Sequence, residues 1–304
     1  QILLSFSTTL STLYLFTLCA TFGAISAQVL IPFASSINPP ESSAAIVGKL
    51  MSGLVMGIIL SRTFAGFVSN YWSWEGVYLS SGVITLLFAT LMWRKLPNTQ
   101  PQSDLNIVSI YQSLFQIARN NPHLIRRACA GALGFGILSM VFTSMTFVLG
   151  SAPYFFNDFE IGLFGLLGVI GIYSSSWSGK TVGLGKENLV AKLCISLMLF
   201  SCVPLFFAQQ NIGIYAIGVL MSYFGLTAFH VLNQNLVYRI DANARSRINA
   251  VYMTIYFSGA ALGSLGAVYA WEHWQWQGCV ALGLTFAIGI LWIDRFDFKL
   301  MRKN

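Results

Sequence analysis

The sequence predicts an all-α membrane protein made of two repeated halves, and three observations lead to this fold class. Of its 304 residues, 56% are hydrophobic and 9% are charged, whereas an ordinary soluble domain carries about 25% charged residues. Four stretches are almost free of charge and long enough to cross a bilayer, namely 128–157, 189–208, 212–238 and 248–271. A W-x-W-x-G motif occurs twice, as Trp72, Trp74 and Gly76 and as Trp274, Trp276 and Gly278.

The apolar pattern predicts about nine complete membrane spans, each near the roughly 20 residues that a helix needs to cross a bilayer. After a stub at 1–7, the predicted spans are 10–36, 46–70, 75–93, 127–154, 160–177, 189–208, 212–238, 248–271 and 276–293. In the polar stretch between the third and fourth spans, a short helix with one apolar face is typical of a helix on the membrane surface. That face carries Ile107, Val108, Tyr111, Leu114, Phe115 and Ala118.

The repeated motif predicts how the chain is organised, because two equally oriented halves indicate a duplicated transporter. We expect residues 1–93 to be the remainder of an N-terminal six-helix half, comprising the end of helix 3 and helices 4 to 6. Residues 94–126 form a cytoplasmic linker with an amphipathic helix, and residues 127–304 form helices 7 to 12 and a short tail. The earlier N-terminal helices are expected to be missing from this chain.

The basic residues indicate the orientation of the protein. Of the 17 Lys and Arg, all 16 other than Arg62 lie near one end of the predicted spans, and the opposite loops hold none. By the positive-inside rule the basic end is cytoplasmic, which predicts a multi-pass membrane protein with a cytoplasmic C terminus. The net charge of +7 is explained by this distribution, so no nucleic-acid partner is expected.

Catalytic and metal-binding motifs are missing from the sequence. The five cysteines have no metal or redox spacing, and the spans contain no paired His, no H-E-x-x-H and no G-x-S-x-G. We therefore expect no enzyme activity, no cofactor and no metal. A further alternative is a membrane scaffold or sensor that does not transport. The two-fold repeat would then have no functional explanation.

One segment of the first half resembles a known transport motif. The segment GIILSRTFAG, which begins at Gly57 and ends at Gly66, resembles the antiporter motif G-x-x-x-G-P-x-x-G-G of the drug:proton antiporters. Both terminal glycines match, and Ser61 and Ala65 are small substitutes. Arg62 stands where that family usually has proline.

Two further segments extend the resemblance over essentially the whole chain. SGKTVGLGKEN resembles the cytoplasmic loop motif G-x-x-x-D-x-x-G-R/K, with a glycine in place of the acid; it keeps Gly179, Lys180 and Lys186. RSRINAVYMTIYFSGAALGS, from Arg245 to Ser264, is similar to bacterial arabinose-efflux-permease-like and multidrug-efflux transporters. Together with the repeat and the long linker, these segments resemble the major facilitator superfamily.

The resemblance implies a secondary active transporter that alternates access to a central site. We expect a monomer in the lipid bilayer that exports a small organic solute or drug in exchange for protons. An uptake symporter for a sugar or organic acid is the alternative, because the antiporter motif is altered at Arg62. An exporter lowers cellular accumulation of its solute, an uptake carrier raises it, and a scaffold changes neither.

Arg62 is the sharpest candidate for a functional residue, because it lies well inside the predicted span 46–70. A central Arg costs about 2.5–3.5 kcal/mol on insertion scales. The functional interpretation is that Arg62 faces or gates the central cavity. The alternative is that it reaches outward or ties a helix pair together through backbone carbonyls.

Polar side chains on the first and seventh spans are a second set of candidates. Gln28 and His230 occupy equivalent positions in the two repeats, in spans that correspond to cavity-lining helices 4 and 10 of the superfamily. Asn233 and Gln234 follow His230 on the same helical face. These side chains either contact the solute or form an interhelical hydrogen-bond network.

Two other patterns allow both a functional and a packing interpretation. One is a stripe on the eighth span that forms a cavity wall or ordinary core: Asn249, Tyr252 and Tyr256. The other is a set of small residues four apart that packs helices closely or forms a rocking interface: Gly53, Gly57, Ser61 and Ala65, and in the second half Gly259, Gly263 and Ala267.

No acidic residue lies in the interior of a predicted span, since Glu75 and Glu160 are at the first position of theirs and the others lie outside. A proton-driven antiporter needs a membrane-embedded group that binds a proton or the substrate. We therefore expect the coupling carboxylate on the missing N-terminal helices.

Overall fold

The computed structural model describes residues 1–24, 30, 33, 40–96, 107–241 and 244–301, and their regular structure is helical throughout. Short 3₁₀ segments lie at Ile2–Phe6 and Phe164–Val169. The α-helices are α1 (Leu10–Ala24), α2 (Pro40–Tyr71), α3 (Trp74–Lys95), α4 (Ile107–Asn120), α5 (Pro122–Gly150), α6 (Asp158–Leu163), α7 (Ile170–Gly183), α8 (Glu187–Phe200), α9 (Cys202–Phe206), α10 (Ile212–Tyr238) and α11 (Arg245–Met301).

The predicted all-α membrane class is confirmed. Within the described residues, six helical segments are long and apolar enough to cross a membrane: Trp74–Lys95, Pro122–Gly150, Asp158–Gly183, Glu187–Phe206, Ile212–Tyr238 and Arg245–Arg295. The last has 51 residues, too many for one crossing of a core about 30 Å thick. Its backbone leaves the helical region at Gln275, which divides α11 into a first arm (245–274) and a second arm (276–301). Their positions agree with the predicted spans 248–271 and 276–293.

The chain divides into two compact units. Unit one comprises residues 1–102 and 156–166, and in it α2 packs against α6 while α3 packs against the first 3₁₀ segment. Unit two comprises residues 103–155 and 167–304. There α5 packs along α11, and α10 packs against α7, α8 and α5. The predicted division into a half, a linker and a half stays a prediction.

The first W-x-W-x-G motif forms the turn between α2 and α3. Ser73 has extended φ and ψ values of −175° and 172°, and its side-chain oxygen accepts a hydrogen bond from the backbone N–H of Gly76. It is therefore the N-cap that starts α3. A Cβ on Gly76 would lie 2.8 Å from the ring of Trp72, so the glycine lets this tryptophan fold back over the new helix.

The second copy of the motif repeats this arrangement in unit two. The helix is interrupted at Gln275, the residue equivalent to Ser73, with φ 53° and ψ −150°. A Cβ on Gly278 would lie 2.7 Å from the Cβ of Trp274, as in the first copy. Trp276 is buried and its Nε1–H donates a 2.6 Å hydrogen bond to the carbonyl of Leu205. The motif thus marks a helix-to-helix turn each time it occurs.

Helix α4 has the amphipathic character that the sequence predicts. Tyr111 and Phe115, which lie on its apolar face, are both 69% exposed. Asn121 and Pro122 separate it from α5, because the Asn121 Nδ2 group donates to the carbonyl of Ile117 and Pro122 opens the next helix. An exposed apolar face beside a membrane helix suits a position at the membrane surface.

Candidate functional site

Five side chains from three helices of unit two form a cluster, called here the aromatic–amide cluster: Phe135 on α5, His230 and Asn233 on α10, and Tyr252 and Tyr256 on the first arm of α11. The His230 Nδ1 atom lies 3.1 Å from the Tyr252 hydroxyl oxygen. The His230 ring centroid is 4.4 Å from that of Tyr256, which stacks on Phe135 at 4.6 Å. The cluster is therefore a continuous aromatic surface with polar atoms along one edge.

Helical spacing brings these side chains together. Tyr252 and Tyr256 are four residues apart and share one face of α11, and His230 and Asn233 share one face of α10. On α5 the facing position is Gly131, where a Cβ would lie 2.7 Å from the Tyr252 hydroxyl oxygen. A side chain at this position would push the tyrosine away, so the glycine allows its hydroxyl to reach α5.

The Asn233 side chain is the polar centre of the cluster. Asn233 is fully buried and lies beside Tyr252. Its side chain interacts with the Tyr252 hydroxyl, although neither Asn233 Oδ1 nor Nδ2 makes a hydrogen bond of normal distance and angle to a described residue. A buried amide without partners costs about 1–3 kcal/mol. The site thus presents one donor and one acceptor that a bound molecule could satisfy.

The remaining predicted residues of this region have different surroundings. Tyr238 donates its hydroxyl to Asn249 Oδ1 at 2.7 Å, a bond that joins α10 to α11. Asn249 thus takes part in an interhelical hydrogen bond, while Tyr252 and Tyr256 of the same stripe belong to the cluster. Gln234 is half-buried. Gln28 lies outside the described residues.

A buried ion pair lies next to the cluster and was missed by sequence reasoning. The Arg127 Nη1 group donates to Asp294 Oδ1 at 3.0 Å, and the two residues are 1% and 7% exposed. Arg127 is one turn before Gly131 on α5, close enough to interact electrostatically with Tyr252. The available signal was a basic residue at the start of the first helix of the second half and an acidic residue at the end of its last helix, both at the basic end of the predicted spans.

In unit one, Arg62 lies where α2 closely crosses α6 and the start of the 3₁₀ segment that follows it. The side chain is exposed overall, but a Cβ on Gly165 would lie 2.6 Å from the Cβ of Arg62. The aliphatic stem of the arginine therefore packs against a glycine. Thr63 strengthens the crossing by donating its hydroxyl to the carbonyl of Gly162 at 3.3 Å.

The antiporter-like segment contributes one tight contact to this crossing. A Cβ on Gly66 would overlap the carbonyl oxygen of Asp158 and would lie 3.1 Å from the Cα of Gly162. Ser61 is exposed and donates its hydroxyl to the carbonyl of its own helix at Ile58. Ala65 is half-buried. The position of a Cβ on Gly57 has no described atom within 4 Å.

The corresponding small residues of unit two are tightly packed. A Cβ on Gly259 would overlap the carbonyl of Ala132, and a Cβ on Gly263 would lie 2.6 Å from the Cα of Gly136. The backbones of α5 and of the first arm of α11 therefore touch. This is the small-residue packing typical of membrane helices, and it supports the packing interpretation of this stripe.

The loop-motif residues lie at the end of α7 and the start of α8. A Cβ on Gly179 would be 3.9 Å from Val231 on α10, and the adjacent Ser178 donates its hydroxyl to the carbonyl of Ala228 at 2.7 Å. Lys180 is exposed in the last turn of α7, and Lys186 is exposed immediately before α8. The glycine thus lies against α10, and the two lysines extend away from the helix bundle.

Comparison with known proteins places the chain among transporters. Residues 1–264 match the family model described as Major Facilitator Superfamily. The chain is 34% identical over 265 residues to "Uncharacterized transporter YgaY" of Escherichia coli O157:H7, covering 87% of this chain and 67% of that protein. It is 27% identical over 274 residues to "Probable transporter SCO4007" of Streptomyces coelicolor, covering 89% and 63%. It is 23% identical over 269 residues to "Inner membrane transport protein YnfM" of Escherichia coli K12, covering 86% and 63%.

Proposed function

Since the chain belongs to the Major Facilitator Superfamily and is a membrane transporter of that type, we propose that it exports a small organic solute in exchange for protons by alternating access. The protein is placed in the bacterial inner membrane as a monomer, with its basic end and C terminus in the cytoplasm. The aromatic–amide cluster binds the solute from the side of the second half.

The buried amide of Asn233 is the observation that carries the binding role. Neither its Oδ1 nor its Nδ2 makes a hydrogen bond of normal geometry to a described residue, and the amide lies beside Tyr252, whose ring stacks on that of Tyr256. Flat aromatic surfaces with a few fixed polar groups are typical of small-molecule sites. A solute with a planar apolar part and an amide-like or hydroxyl group fits this combination.

The tight helix contacts support alternating access by rigid-body movement. In unit two the α5 and α11 backbones touch at Gly259 and Gly263. In unit one α2 contacts α6 at Gly66. Helices held together by backbone contact move as one body. Tight internal packing of this kind is what rigid-body movement in alternating access requires.

Export in exchange for protons rests on the antiporter-like segment and on the acidic residues. The contact of Gly66 with the Asp158 backbone shows that the last glycine of this segment has a packing role. Asp294 is already paired with Arg127, which leaves this carboxylate less available for proton coupling. Arg62 in place of proline favours the second candidate, an uptake symporter, because a cation can bind an anionic nutrient.

Solute accumulation by cells tests the proposal. The whole gene, expressed in an efflux-deficient bacterial host, is assayed with a panel of labelled solutes, each with and without a protonophore. We expect lower accumulation that the protonophore abolishes. Raised accumulation would indicate uptake and contradict export. Unchanged accumulation of every solute would contradict transport of the solutes in that panel.

A variant pair links the activity to the cluster. Asn233→Leu removes the buried amide, and we expect a loss of transport of about fivefold to a hundredfold, which corresponds to the 1–3 kcal/mol of one satisfied polar group. The control is Ser196→Ala, which changes an exposed serine on α8. Equal transport by both variants at matched expression would exclude the cluster from solute binding.

A further inference from the structure

Unit two contains an apolar crevice between α5 and α11, and its lining residues are different from those of the aromatic–amide cluster. Its volume is about 280 Å³. The walls are Leu133 on α5, Ile255 and Leu262 on the first arm of α11, and Phe286 on the second arm. Leu262 is 64% exposed, so the crevice opens onto the outer surface of these helices.

Helix packing explains why a crevice forms at this place. Its floor includes Ala132 and Gly259, which are the residues at which the two helix backbones touch. Small residues at a crossing bring the helices together, while large residues on either side extend past the contact. The result is a narrow channel with a backbone floor and aliphatic or aromatic walls.

Two arginines lie on the same helical faces as the crevice, at its basic end. Arg126 is three residues before Cys129 and seven before Leu133, a spacing that keeps all three on one face of α5. Arg247 is eleven residues before Ser258, which is close to three full turns of α11. Arg126 is half-buried and Arg247 is exposed. The open side of the crevice is therefore aligned with positive charge.

The distances along the helix axes between the arginines and the crevice match the dimensions of a phospholipid. At about 1.5 Å per residue, Leu133 lies roughly 10 Å from Arg126 along the helix, and Ile255 lies roughly 12 Å from Arg247. One leaflet of the hydrocarbon core is about 15 Å deep, half of the full thickness of about 30 Å. A headgroup at the arginines would thus place an acyl chain at the depth of the crevice.

We propose that this crevice binds an anionic phospholipid of the leaflet at the basic end, with the headgroup phosphate on Arg126 and Arg247 and one acyl chain between α5 and α11. Basic residues next to gaps between membrane helices bind anionic headgroups in this way. The apolar walls select a hydrocarbon chain, and the arginines select the negative charge. This binding site is separate from the proposed solute site, so each can be tested without the other.

Photo-crosslinking tests the site directly. The whole protein is reconstituted into phosphatidylcholine vesicles that contain a trace of phosphatidylglycerol with a diazirine in its acyl chain, and the adducts are mapped by peptide mass spectrometry. We expect adducts concentrated on the α5 peptide around Cys129 to Leu133 and on the α11 peptide around Ile255 to Leu262. A diazirine phosphatidylcholine probe should label them several-fold less.

Two variants separate the roles of charge and shape. Arg126→Gln/Arg247→Gln should reduce crevice labelling by more than about tenfold, since each basic residue near the surface contributes roughly a factor of five in lipid affinity. The charge-matched control is Lys192→Gln/Arg295→Gln, which removes two exposed basic side chains outside the aligned faces. Ser258→Phe should fill the opening of the crevice and prevent labelling, whereas Ser196→Phe on α8 should not.

Three outcomes would overturn the proposal. The first is equal labelling of the wild-type crevice by the two probes, which would mean that the bound lipid is not selected by charge. The second is labelling by phosphatidylglycerol that survives the double glutamine substitution in a folded protein. The third is an absence of label from the crevice when other exposed helix faces are labelled, which would mean that another part of the protein covers it.

Discussion

Arg127 and Asp294 form a buried ion pair between the start of α5 and the end of α11, with 3.0 Å between Nη1 and Oδ1. Their side chains are 1% and 10% exposed, so the pair is shielded from water on both sides. It joins α5 to the second arm of α11, and these two helices are distant in the sequence. This pair therefore closes the helix bundle at its basic end.

Asp294→Asn should destabilise the protein strongly, because it leaves a buried guanidinium without its counter-charge. Removing one partner of a buried pair costs about 3–5 kcal/mol, and thermal unfolding in detergent measures the loss. The control is Arg239→Gln, since the Arg239–Glu187 pair is 58% and 21% exposed and an exposed pair contributes only about 0–1 kcal/mol. Replacement of both buried partners, Arg127→Met/Asp294→Leu, should recover most of the loss. A single and a double variant of equal stability would show that the charges are not coupled.

Sequence patterns predicted the fold class and most helix positions because hydrophobic length is sufficient to identify a membrane helix. The equivalence of Ser73 and Gln275 was also accessible, since the two W-x-W-x-G motifs give it directly. The Arg127–Asp294 pair was not, because span prediction places both residues at helix ends and assigns them to solvent. Only the packing of α5 against α11 shows that the helix ends carrying Arg127 and Asp294 are buried.

Gly259→Ala should be among the most damaging small substitutions in unit two. The added Cβ would overlap the backbone carbonyl of Ala132, which cannot move aside as a flexible side chain would. Overpacking of this kind costs about 1–3 kcal/mol or more, measured by thermal unfolding of the purified protein. Gly183→Ala is the matched control, because no described atom lies within 4 Å of its Cβ position and alanine favours the helix. Equal melting temperatures of the two variants would contradict backbone contact between α5 and α11.

Asn233→Leu should make the protein more stable while it impairs transport. Replacing a buried amide that lacks partners by an apolar group of similar size removes a cost of about 1–3 kcal/mol. Asn249→Leu should have the opposite effect on stability, because Asn249 accepts a hydrogen bond from Tyr238. Thermal unfolding of both variants beside the transport assay separates the two roles. A destabilised Asn233→Leu protein would indicate that the amide is bonded within the protein itself.

The distinction between these two asparagines shows where sequence reasoning ends. Both belong to predicted polar patterns, and helical spacing correctly assigns each to a face of its helix. The register between α10 and α11 then decides how well each polar group is bonded. Tyr238 donates a hydrogen bond to Asn249, whereas the Tyr252 hydroxyl lies beside Asn233 without a hydrogen bond of normal geometry. Interhelical register depends on close contacts such as that of Gly131 with Tyr252, which a single sequence does not encode visibly.

The two tryptophans of the second W-x-W-x-G motif should differ sharply in importance. Trp276 is 1% exposed and donates its Nε1–H to the carbonyl of Leu205, so it ties the second arm of α11 to α9. Trp276→Phe leaves that buried carbonyl with one bond fewer and should cost about 1–3 kcal/mol in thermal unfolding. Trp274 is 61% exposed, and Trp274→Phe should change the stability by less than about 0.5 kcal/mol. The reverse order of effects would mean that the exposed ring, and not the buried indole, holds this turn in place.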